Sequence, residues 1–425
     1  MSLKKVLIIS PYFPPTNAAD SHRVRMSLPY FKNFGWSAHV VTINPVYSDL
    51  VKDELLYESI PDEIRVDQVN AFSKKWTSKI GLGSIALRSL WFYLRFVNDL
   101  LAKQKFDLIY FSTTQFPVCV LGPYWKRKFN IPYIIDFQDP WHTDYYEHKP
   151  NSERPPKYWF SYRLNKLLEP IALKKVNGLI AVNQEYVDEL VNRYSNLATI
   201  PSSIIPFSTS LYDFETAQRH EADFTSFFNK NEKIKIVYVG AVGNIMKESI
   251  VKVLKAFKSF IDNNLPFHEN IELYFLGTSY SPNGKGEPSV APLAQKLGIE
   301  NYVIEVTDRL TYYNAIQHIK NSDALLIVGS DNPNYIGSKI YNYLYSQKKI
   351  FSLLHGQSPA NLILKKHENV TIQNLENNQA EIDSSFNQFI YSIGNKLPEH
   401  HKYIFEALQM TKLQCSLFEK VISRI

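Results

Sequence analysis

The sequence lacks the features of a disulfide-bonded, secreted or membrane-spanning protein. Its 425 residues contain two cysteines, Cys119 and Cys415, so no disulfide framework supports the fold, which fits a reducing compartment. No apolar run approaches the roughly 20 residues that cross a bilayer. No basic segment followed by an apolar segment precedes the first predicted strand. We therefore expect a protein of the cytoplasm.

Several ligand-binding patterns are missing as well. No group of residues has the spacing of a zinc or calcium site, and no Asp-X-Asp metal motif is present. We therefore expect neither a metal ion nor another cofactor. Residues 17–23 contain no glycine, although they occupy the first predicted strand-to-helix turn. This excludes a dinucleotide fingerprint at that turn and counts against a dehydrogenase.

Composition and charge are those of an ordinary globular protein with one basic half. The chain is 45% hydrophobic and 21% charged, and its length suits two domains better than one core. The formal net charge of +6 lies in residues 1–200, while the remainder is balanced. A basic half suits lipid headgroups, a phosphorylated acceptor or nucleic acid, although solvated surfaces often carry such an excess. No nucleic-acid-reading motif is present, so we expect no nucleic-acid partner.

Short β-branched apolar runs alternate with helical patterns along both halves of the chain. In the first half, strands are predicted at Lys5–Ser10, Ala38–Thr42, Asp107–Phe111, Tyr133–Asp136 and Gly178–Val182. In the second half, they are predicted at Ile234–Gly240, Ile271–Gly277, Tyr302–Val306 and Ala324–Val328. Helices are predicted at His22–Phe34, Glu215–Phe228, Ser249–Asn263, Ala291–Leu297 and His401–Ile425.

Continuous apolar strands separated by helices indicate parallel sheets that are covered on both faces. We predict an α/β fold of two tandem Rossmann-like, doubly wound domains that face each other across a crevice. The first comprises residues 1–205, with the helix at 401–425 packing back on it, and the second comprises residues 206–400. In such sheets, ligands bind beyond the carboxyl ends of the strands.

Three passages of the chain carry a resemblance to a known family: Lys5–Pro15, Asp136–Trp141, and Ser338–Leu344 followed by Lys348–Ile350. They are similar, in that order, to a first strand with its acceptor-side loop, an aspartate-rich turn and a donor-phosphate helix. These are features of the two-Rossmann glycosyltransferases of the GT-B fold, family 4, of the bacterial surface-polysaccharide type, which the chain resembles. The resemblance implies retaining, metal-independent transfer from a nucleotide sugar to a saccharide or lipid-linked saccharide. It also implies a place in polysaccharide or lipopolysaccharide biosynthesis.

The resemblance and the residue types together indicate a donor site in the second half. Its candidate residues are Gly240, Gly243, Lys247, Arg309, Asp331, Asn334, Gly337, Ser338, Lys339 and Asn342. Free N–H groups and the dipole at a helix start suit phosphate, and the Lys339 ammonium adds a positive charge. An ordinary helix cap with a surface lysine explains the same pattern.

Two of these candidates depart from the family pattern. Asn334 and Asn342 stand where the resemblance implies glutamates that reach the donor sugar and its ribose. An amide hydrogen-bonds a hydroxyl but lacks the negative charge of a carboxylate, and Asp331 is an alternative source of one. The arginine that the family places before Lys247 is missing. Arg309 either replaces it, borders the base slot or lies on a solvated surface.

The first half supplies candidates for catalysis and acceptor binding. Asp136 and Asp139 flank a turn at a strand end and are the predicted catalytic carboxylates, because buried paired acids often have shifted pKa values. Helix capping or binding to arginine explains such a pair as well. The acceptor-side candidates are Asp20, His22, Arg23 and His142. The turn that carries His22 and Arg23 either contacts an anionic acceptor or is a solvated helix start.

A basic-aromatic segment comprises Lys74, Lys75, Trp76 and Lys79. It precedes a helical pattern whose apolar face is explained by core packing. The segment is the candidate for a peripheral contact with the inner face of the membrane, where a lipid-linked acceptor would lie.

Two alternatives to sugar transfer stay open on the same fold. A sugar-nucleotide epimerase would use carboxylates and histidines to move protons, and the aspartates permit this. A non-catalytic descendant that only binds a sugar nucleotide is favoured by the paired asparagines in the donor half.

Overall fold

The chain divides into two compact units. The computed structural model describes residues 3–144, 147, 150, 154, 158–263, 270–279, 285–333, 337–395 and 405–424. Unit 1 comprises Met1–Ser210 and Phe405–Ile425, and unit 2 comprises Leu211–Ile404. The sequence pattern places the corresponding divisions after residues 205 and 400.

Within the residues that the structure describes, each unit contains one parallel sheet. The strands of unit 1 are β1 (Lys4–Ile9), β2 (Trp36–Ile43), β3 (Arg65–Val69), β4 (Leu108–Ser112), β5 (Tyr133–Phe137), β6 (Gly178–Ala181) and β7 (Ser202–Ile204). Those of unit 2 are β8 (Ile234–Val239), β9 (Ile271–Leu276), β10 (Val303–Val306), β11 (Ala324–Val328), β12 (Lys349–Leu354) and β13 (Val370–Asn374). The spatial orders are β3-β2-β1-β4-β5-β6-β7 and β10-β9-β8-β11-β12-β13.

Helices connect the strands and cover the sheets. The first group is α1 (Ser21–Ser27), α2 (Lys74–Thr77), α3 (Ile85–Lys103), α4 (Gly122–Phe129), α5 (Tyr158–Leu173), α6 (Gln184–Arg193) and α7 (Leu211–Arg219). The second is α8 (Lys247–Asn263), α9 (Ala291–Leu297), α10 (Tyr312–Lys320), α11 (Ile340–Tyr345), α12 (Ala360–Leu364), α13 (Gln379–Ser392) and α14 (Ala407–Ile422). In the part of the chain described, no helix is both long and apolar enough to cross a membrane.

The unit 1 sheet is buried on both faces, as its continuous apolar strands predict. On one face, the Phe418 ring of α14 lies 5.2 Å from the Trp36 ring and 5.3 Å from the Tyr110 ring. On the other, Phe111 stacks on Trp125 of α4 at 5.9 Å. The predicted doubly wound α/β fold is confirmed for this unit.

Unit 2 has the same layered organisation around its central strands β8 and β11. Phe257 of α8 and Phe386 of α13 are buried on one face. Tyr343 of α11 is buried on the other face, and its hydroxyl accepts a hydrogen bond from the backbone N–H of Val239 at 2.7 Å. The start of α11 is thereby held close to the carboxyl end of β8.

Parallel pairing brings the loops after β4 and β5 together. Ser112, the last residue of β4, is in register with Asp136 of β5. The residues that follow, Thr113–Thr114 and Gln138–Asp139, therefore emerge at the same edge of the sheet. This edge carries most of the first-half candidates.

The sequence interpretation was wrong at several helix boundaries. The predicted helix at 22–34 is α-helical only from Ser21 to Ser27, and a 3₁₀ segment from Leu28 to Phe34 follows. Pro29 at the start of that segment lacks the N–H that an α-helix needs. The helix predicted at 215–228 begins earlier, at Leu211, and ends at Arg219.

Candidate functional site

In unit 2, Lys339, Tyr238 and Gly240 form a compact group at the carboxyl end of β8. Lys339 caps α11, and its ammonium donates a hydrogen bond to the Tyr238 hydroxyl at 2.6 Å and lies 3.9 Å from the centre of that ring. Tyr238 is fully buried and donates in turn to the backbone oxygen of Ala241 at 2.9 Å. Burial lowers the pKa of Lys339 to about 7, so this ammonium loses its proton near neutral pH.

Gly240 is required by this arrangement. Its φ of +128° is unfavourable for any other residue, and a Cβ atom here would lie 2.5 Å from the Lys339 Nζ. Gly243 is different, because it is exposed and the nearest atom to an added Cβ, on Ile245, is 3.8 Å away. The structure therefore brings Gly240 to Lys339 and gives Gly243 no comparable contact.

The loop after β11 is joined to the segment that leads into α8. The backbone N–H of Asp331 donates to the Ile245 oxygen at 3.1 Å, and the Ser330 hydroxyl donates to the Asp331 carboxylate at 3.3 Å. Lys247 is the first residue of α8 and is exposed. Among the described residues, its ammonium has no hydrogen-bond or ion-pair partner. A second cation thus stands near the carboxyl ends of β8 and β11.

The other donor-side candidates lie outside the compact group of Lys339, Tyr238 and Gly240. Arg309 is half-buried in the turn after β10, where its Cα lies 3.7 Å from the Cβ position of Gly277. Ser338 is exposed and Asn342 is half-buried within α11. The Gly337 carbonyl accepts from the N–H of Ile340 at 3.3 Å. Asn334 lies outside the described residues.

The start of α9 is closed to ligands by a carboxylate that the sequence pattern did not single out. Glu305 accepts hydrogen bonds from the N–H groups of Val290 at 2.9 Å and Ala291 at 2.7 Å, and from the Thr278 hydroxyl at 2.6 Å. This internal anion satisfies the N–H groups that would otherwise attract phosphate. The N–H groups of Val290 and Ala291 are therefore already paired within the protein.

In unit 1, Arg23 and Asp136 form a buried ion pair. The Arg23 Nε is 2.8 Å from the Asp136 Oδ2, and both side chains are almost completely enclosed. The same oxygen accepts hydrogen bonds from the Tyr110 hydroxyl at 3.0 Å and the Ser112 hydroxyl at 2.9 Å. Arg23 also donates to the Ile205 carbonyl at 2.8 Å. Of the interpretations that the sequence allows for Asp136, the structure shows binding to an arginine. A ligand would contact Arg23 or Asp136 only after this ion pair had separated.

Asp139 has the opposite environment. It lies in the turn after β5, is exposed, and lines a cavity of about 450 Å³. Desolvation within this recess and the nearby charge of Asp20 raise the pKa of Asp139 to about 6. Burial also raises the pKa of Asp20, whose carboxylate accepts from the Thr113 hydroxyl at 3.0 Å and the Thr114 N–H at 2.9 Å. Asp139 is the accessible member of this pair of acids.

The described lining of the cavity comes from four chain segments of unit 1. Residues 78–87 contribute Ser84, the loop after β4 contributes Gln115, α5 contributes Phe160 and Asn165, and the turn after β5 contributes Trp141. Among the lining residues that the structure describes, Asp139 is the one ionisable group. Aromatic faces beside amide and hydroxyl groups can hold a ligand that is partly apolar and partly hydroxylated. No sequence signal pointed to α5, because the segments that meet here are far apart in the chain.

His142 and His22 both belong to hydrogen-bonded networks. The buried His142 ring is 3.0 Å from the Glu169 carboxylate, which also accepts from Arg193 at 2.7 Å. The His22 ring nitrogen accepts from the Arg25 guanidinium at 3.3 Å. Glu169 and Arg193 were not found from the sequence, since nothing in the local pattern marks a contact between α5 and α6.

The described residues contain no group of three or more histidine, cysteine or acidic side chains placed to hold a metal ion.

Gly240→Ala should displace the Lys339 ammonium and strain the backbone. We expect a loss of about 1–3 kcal/mol in the free energy of unfolding of unit 2, measured by urea denaturation. Gly243→Ala is the matched control, and its effect should stay within about 0.5 kcal/mol because no atom obstructs the added methyl group. Equal effects of the two substitutions would contradict the close contact between Gly240 and Lys339.

Comparison with known proteins shows likeness in structure and none in sequence. No family model and no curated protein matches the sequence. A glycosyltransferase from Rickettsia africae superimposes with a TM-score of 0.61 at 13% identity, over 100% of both chains. HepE from Anabaena, solved in complex with UDP-glucose, gives 0.54 at 13% identity, over 99% of this chain and 97% of its own.

WaaG, a glycosyltransferase involved in lipopolysaccharide biosynthesis, gives a TM-score of 0.53 at 12% identity, over 98% of this chain and 94% of its own. At such identities, structural likeness shows the fold alone. The chain has the two-domain α/β GT-B fold that these glycosyltransferases share.

Proposed function

We propose that this protein is a glycosyltransferase that moves a sugar from a nucleotide sugar bound by unit 2 to an acceptor bound by unit 1. The observation that carries the proposal is the Lys339 ammonium held beside Gly240 at the carboxyl ends of β8 and β11. Sites at that edge are where doubly wound sheets bind ligands. HepE, which shares the fold, was solved with UDP-glucose, and this supports a nucleotide sugar as the ligand.

The chemistry assigned to unit 2 is stabilisation of the leaving diphosphate. Negative charge builds up on that group as the bond to the sugar breaks, and cations fixed beside it lower the barrier. Lys339 and the exposed Lys247 supply two such charges. We also propose that the transfer needs no metal ion and retains the configuration of the sugar, because the sequence resemblance implies both.

The acceptor is assigned to the cavity of unit 1. Its aromatic and amide groups can hold a sugar ring, and the Asp139 carboxylate can accept a hydrogen bond from the acceptor hydroxyl. A saccharide or lipid-linked saccharide of bacterial polysaccharide or lipopolysaccharide synthesis fits this lining. The likeness of fold to WaaG supports that assignment.

A non-catalytic nucleotide-sugar binder is the second candidate. The observation in its favour is Asn342, an amide on α11 at a position where the sequence resemblance implies a carboxylate. Such a protein would bind the nucleotide sugar through Lys339 and leave the sugar attached. A measurement of sugar release from the bound nucleotide distinguishes the two functions, because a transferase releases the sugar and a binder does not.

Lys339→Met should weaken nucleotide binding by about ten- to hundredfold, because one charge-assisted hydrogen bond is lost while the apolar stem stays. UDP, GDP, ADP and dTDP are first screened by thermal shift, and the dissociation constant of the tightest is measured by calorimetry. Lys365→Met is the control, since Lys365 is an exposed lysine of the same unit. Unchanged affinity in Lys339→Met, or no response of the wild type to any nucleotide, would overturn the donor site.

Binding of a nucleotide sugar should take up a proton between pH 7 and 9. The free enzyme has Lys339 with a pKa of about 7, and a bound diphosphate raises that pKa by favouring the charged form. Affinity should therefore be constant below pH 7 and fall by up to about tenfold for each pH unit above it. Calorimetry in two buffers with different ionisation enthalpies measures the proton. Lys339→Met should show no uptake, and uptake that persists in this variant would assign it elsewhere.

Asp139→Asn should slow transfer to the acceptor by about a hundredfold and leave the donor dissociation constant within about twofold of the wild type. Wild-type turnover should also fall below about pH 6, as the carboxylate with a pKa of about 6 becomes protonated. The variant should lack that fall. Acceptors are found by screening free and lipid-linked saccharides. A matching loss of donor affinity would instead place Asp139 in the donor site.

A further inference from the structure

The turn after β5 is tied to α5 by the side chains of two consecutive residues. The Trp141 indole N–H donates to the Asn165 amide oxygen at 3.3 Å, and the His142 ring nitrogen Nδ1 lies 3.0 Å from the Glu169 carboxylate. Asn165 and Glu169 are four residues apart, so they lie on one side of the helix. Asp139 therefore stands directly before a segment that is fixed along one face of α5.

The second of these ties is buried and carries a charge. The His142 and Glu169 side chains are only 4% and 1% exposed. A carboxylate only accepts hydrogen bonds, so the His142 nitrogen that faces it carries a proton. The other carboxylate oxygen accepts from the Arg193 guanidinium at 2.7 Å, which neutralises Glu169. One carboxylate thus joins the turn after β5, the helix α5 and the end of α6.

The His142 ring lies on the side of the turn that faces away from the cavity. Among the residues that the structure describes, Trp141 lines the cavity of about 450 Å³ and His142 does not. His142 borders a small internal space beside Tyr186 instead, and its ring packs edge-on against that of Tyr162 at 5.9 Å. His142 can therefore influence a ligand in the cavity through the position of the turn.

We infer that His142 is a positioning residue of sugar transfer: held by Glu169, it fixes the turn that presents the Asp139 carboxylate to the acceptor. The inference rests on the proposed function, because it gives His142 a role in that reaction. The ion pair of Arg23 and Asp136 holds the start of the turn, and His142 holds its end. Such fixation matters because a displacement of about 1 Å can slow a reaction about a hundredfold.

Three substitutions separate this role from a general effect on stability. His142→Leu removes the tie and keeps an apolar side chain in the buried space. His142→Asn keeps the tie, because its amide nitrogen occupies the place of Nδ1 and can donate to Glu169. The matched control is His39→Leu. His39 is a buried histidine of β2 that pairs with Asp67 at 2.8 Å, and its ring lies 5.7 Å from that of Phe106, which precedes β4 at the opposite edge of the sheet.

The position of the turn is measured without substrate, through the exchange of the Trp141 indole proton with water in NMR spectra. The chain contains six tryptophans, and Trp141→Phe identifies the signal. Exchange should become several-fold faster in His142→Leu, because the indole loses its fixed place beside Asn165. It should stay at the wild-type rate in His142→Asn and in His39→Leu. Wild-type exchange in His142→Leu would overturn the inference, since the turn would then be held without His142.

Transfer is measured with UDP-glucose as the donor and with octyl glycosides of glucose, galactose and N-acetylglucosamine as acceptors. His142→Leu should lower kcat about ten- to hundredfold. The donor dissociation constant and the acceptor KM should stay within about threefold of the wild type, because the tie acts on the reacting geometry and not on the binding of either substrate. His142→Asn and His39→Leu should keep kcat within about threefold of the wild type. Thermal unfolding shows whether each variant is folded.

The sharpest comparison introduces His142→Leu into the Asp139→Asn variant. If His142 acts through Asp139, the double variant should have the kcat of Asp139→Asn alone, within about threefold. Losses that multiply would give His142 a role independent of Asp139 and overturn the inference. A His142→Asn variant as slow as His142→Leu would also overturn it, because the imidazole itself would then be needed.

The proposed function and this inference fail in different ways. A wild type that binds a nucleotide but transfers no sugar to these acceptors would overturn the proposed transfer, and the role of His142 with it. A wild type that transfers sugar, combined with any of the contrary results for His142, would overturn the inference alone.

Discussion

The buried pair of Arg23 and Asp136 is the interaction on which the candidate site of unit 1 depends. Two charges enclosed without water must neutralise each other, and removal of one partner typically costs about 3–5 kcal/mol. Arg23 belongs to α1, Asp136 belongs to β5, and the Ile205 carbonyl that Arg23 also contacts follows β7. One guanidinium therefore joins three parts of the unit. The turn after β5 starts from this anchored point, which leaves Asp139 directed to the cavity.

The two acids of that turn differ in whether a partner within the protein neutralises their charge. Asp136 has its charge satisfied by an arginine and two hydroxyl groups, while Asp139 lines an open cavity and has a raised pKa. In unit 2, Glu305 and Lys339 differ in a comparable way. The Glu305 carboxylate accepts hydrogen bonds from the N–H groups at the start of α9. Lys339 has a neutral partner, the Tyr238 hydroxyl.

The sequence patterns were sufficient for the fold because the central strands are continuous apolar runs. Ala324–Val328 and the start of Ile234–Val239 were placed correctly, and so was the helix Ala291–Leu297. The strands that were not predicted are mostly short or partly exposed at the sheet edges, such as Arg65–Val69 and Ser202–Ile204. Edge strands bury only part of their side chains and so lack the apolar run that a central strand shows.

The sites were less predictable, because their chemistry depends on contacts between distant parts of the chain. The pattern around residue 339 indicated a helix start with a lysine, but its burial against Tyr238 and the lowered pKa arise from β8. Nothing near Asp136 identifies Arg23 as its partner. The cavity of unit 1 exists only after the segments around residues 80, 115, 140 and 160 have been assembled.

The contact between Gly240 and Lys339 also has a consequence for sequence variation. The space that a side chain would fill at position 240 is occupied by the end of the side chain at position 339. The side chain of residue 339, at the start of α11, therefore fills the space beside the backbone of residue 240, at the end of β8. A larger residue at 240 would meet the Lys339 ammonium and would also have to adopt a φ of +128°, so a shorter residue at 339 would remove the contact but not the backbone strain. Such a shortening would also remove the cation.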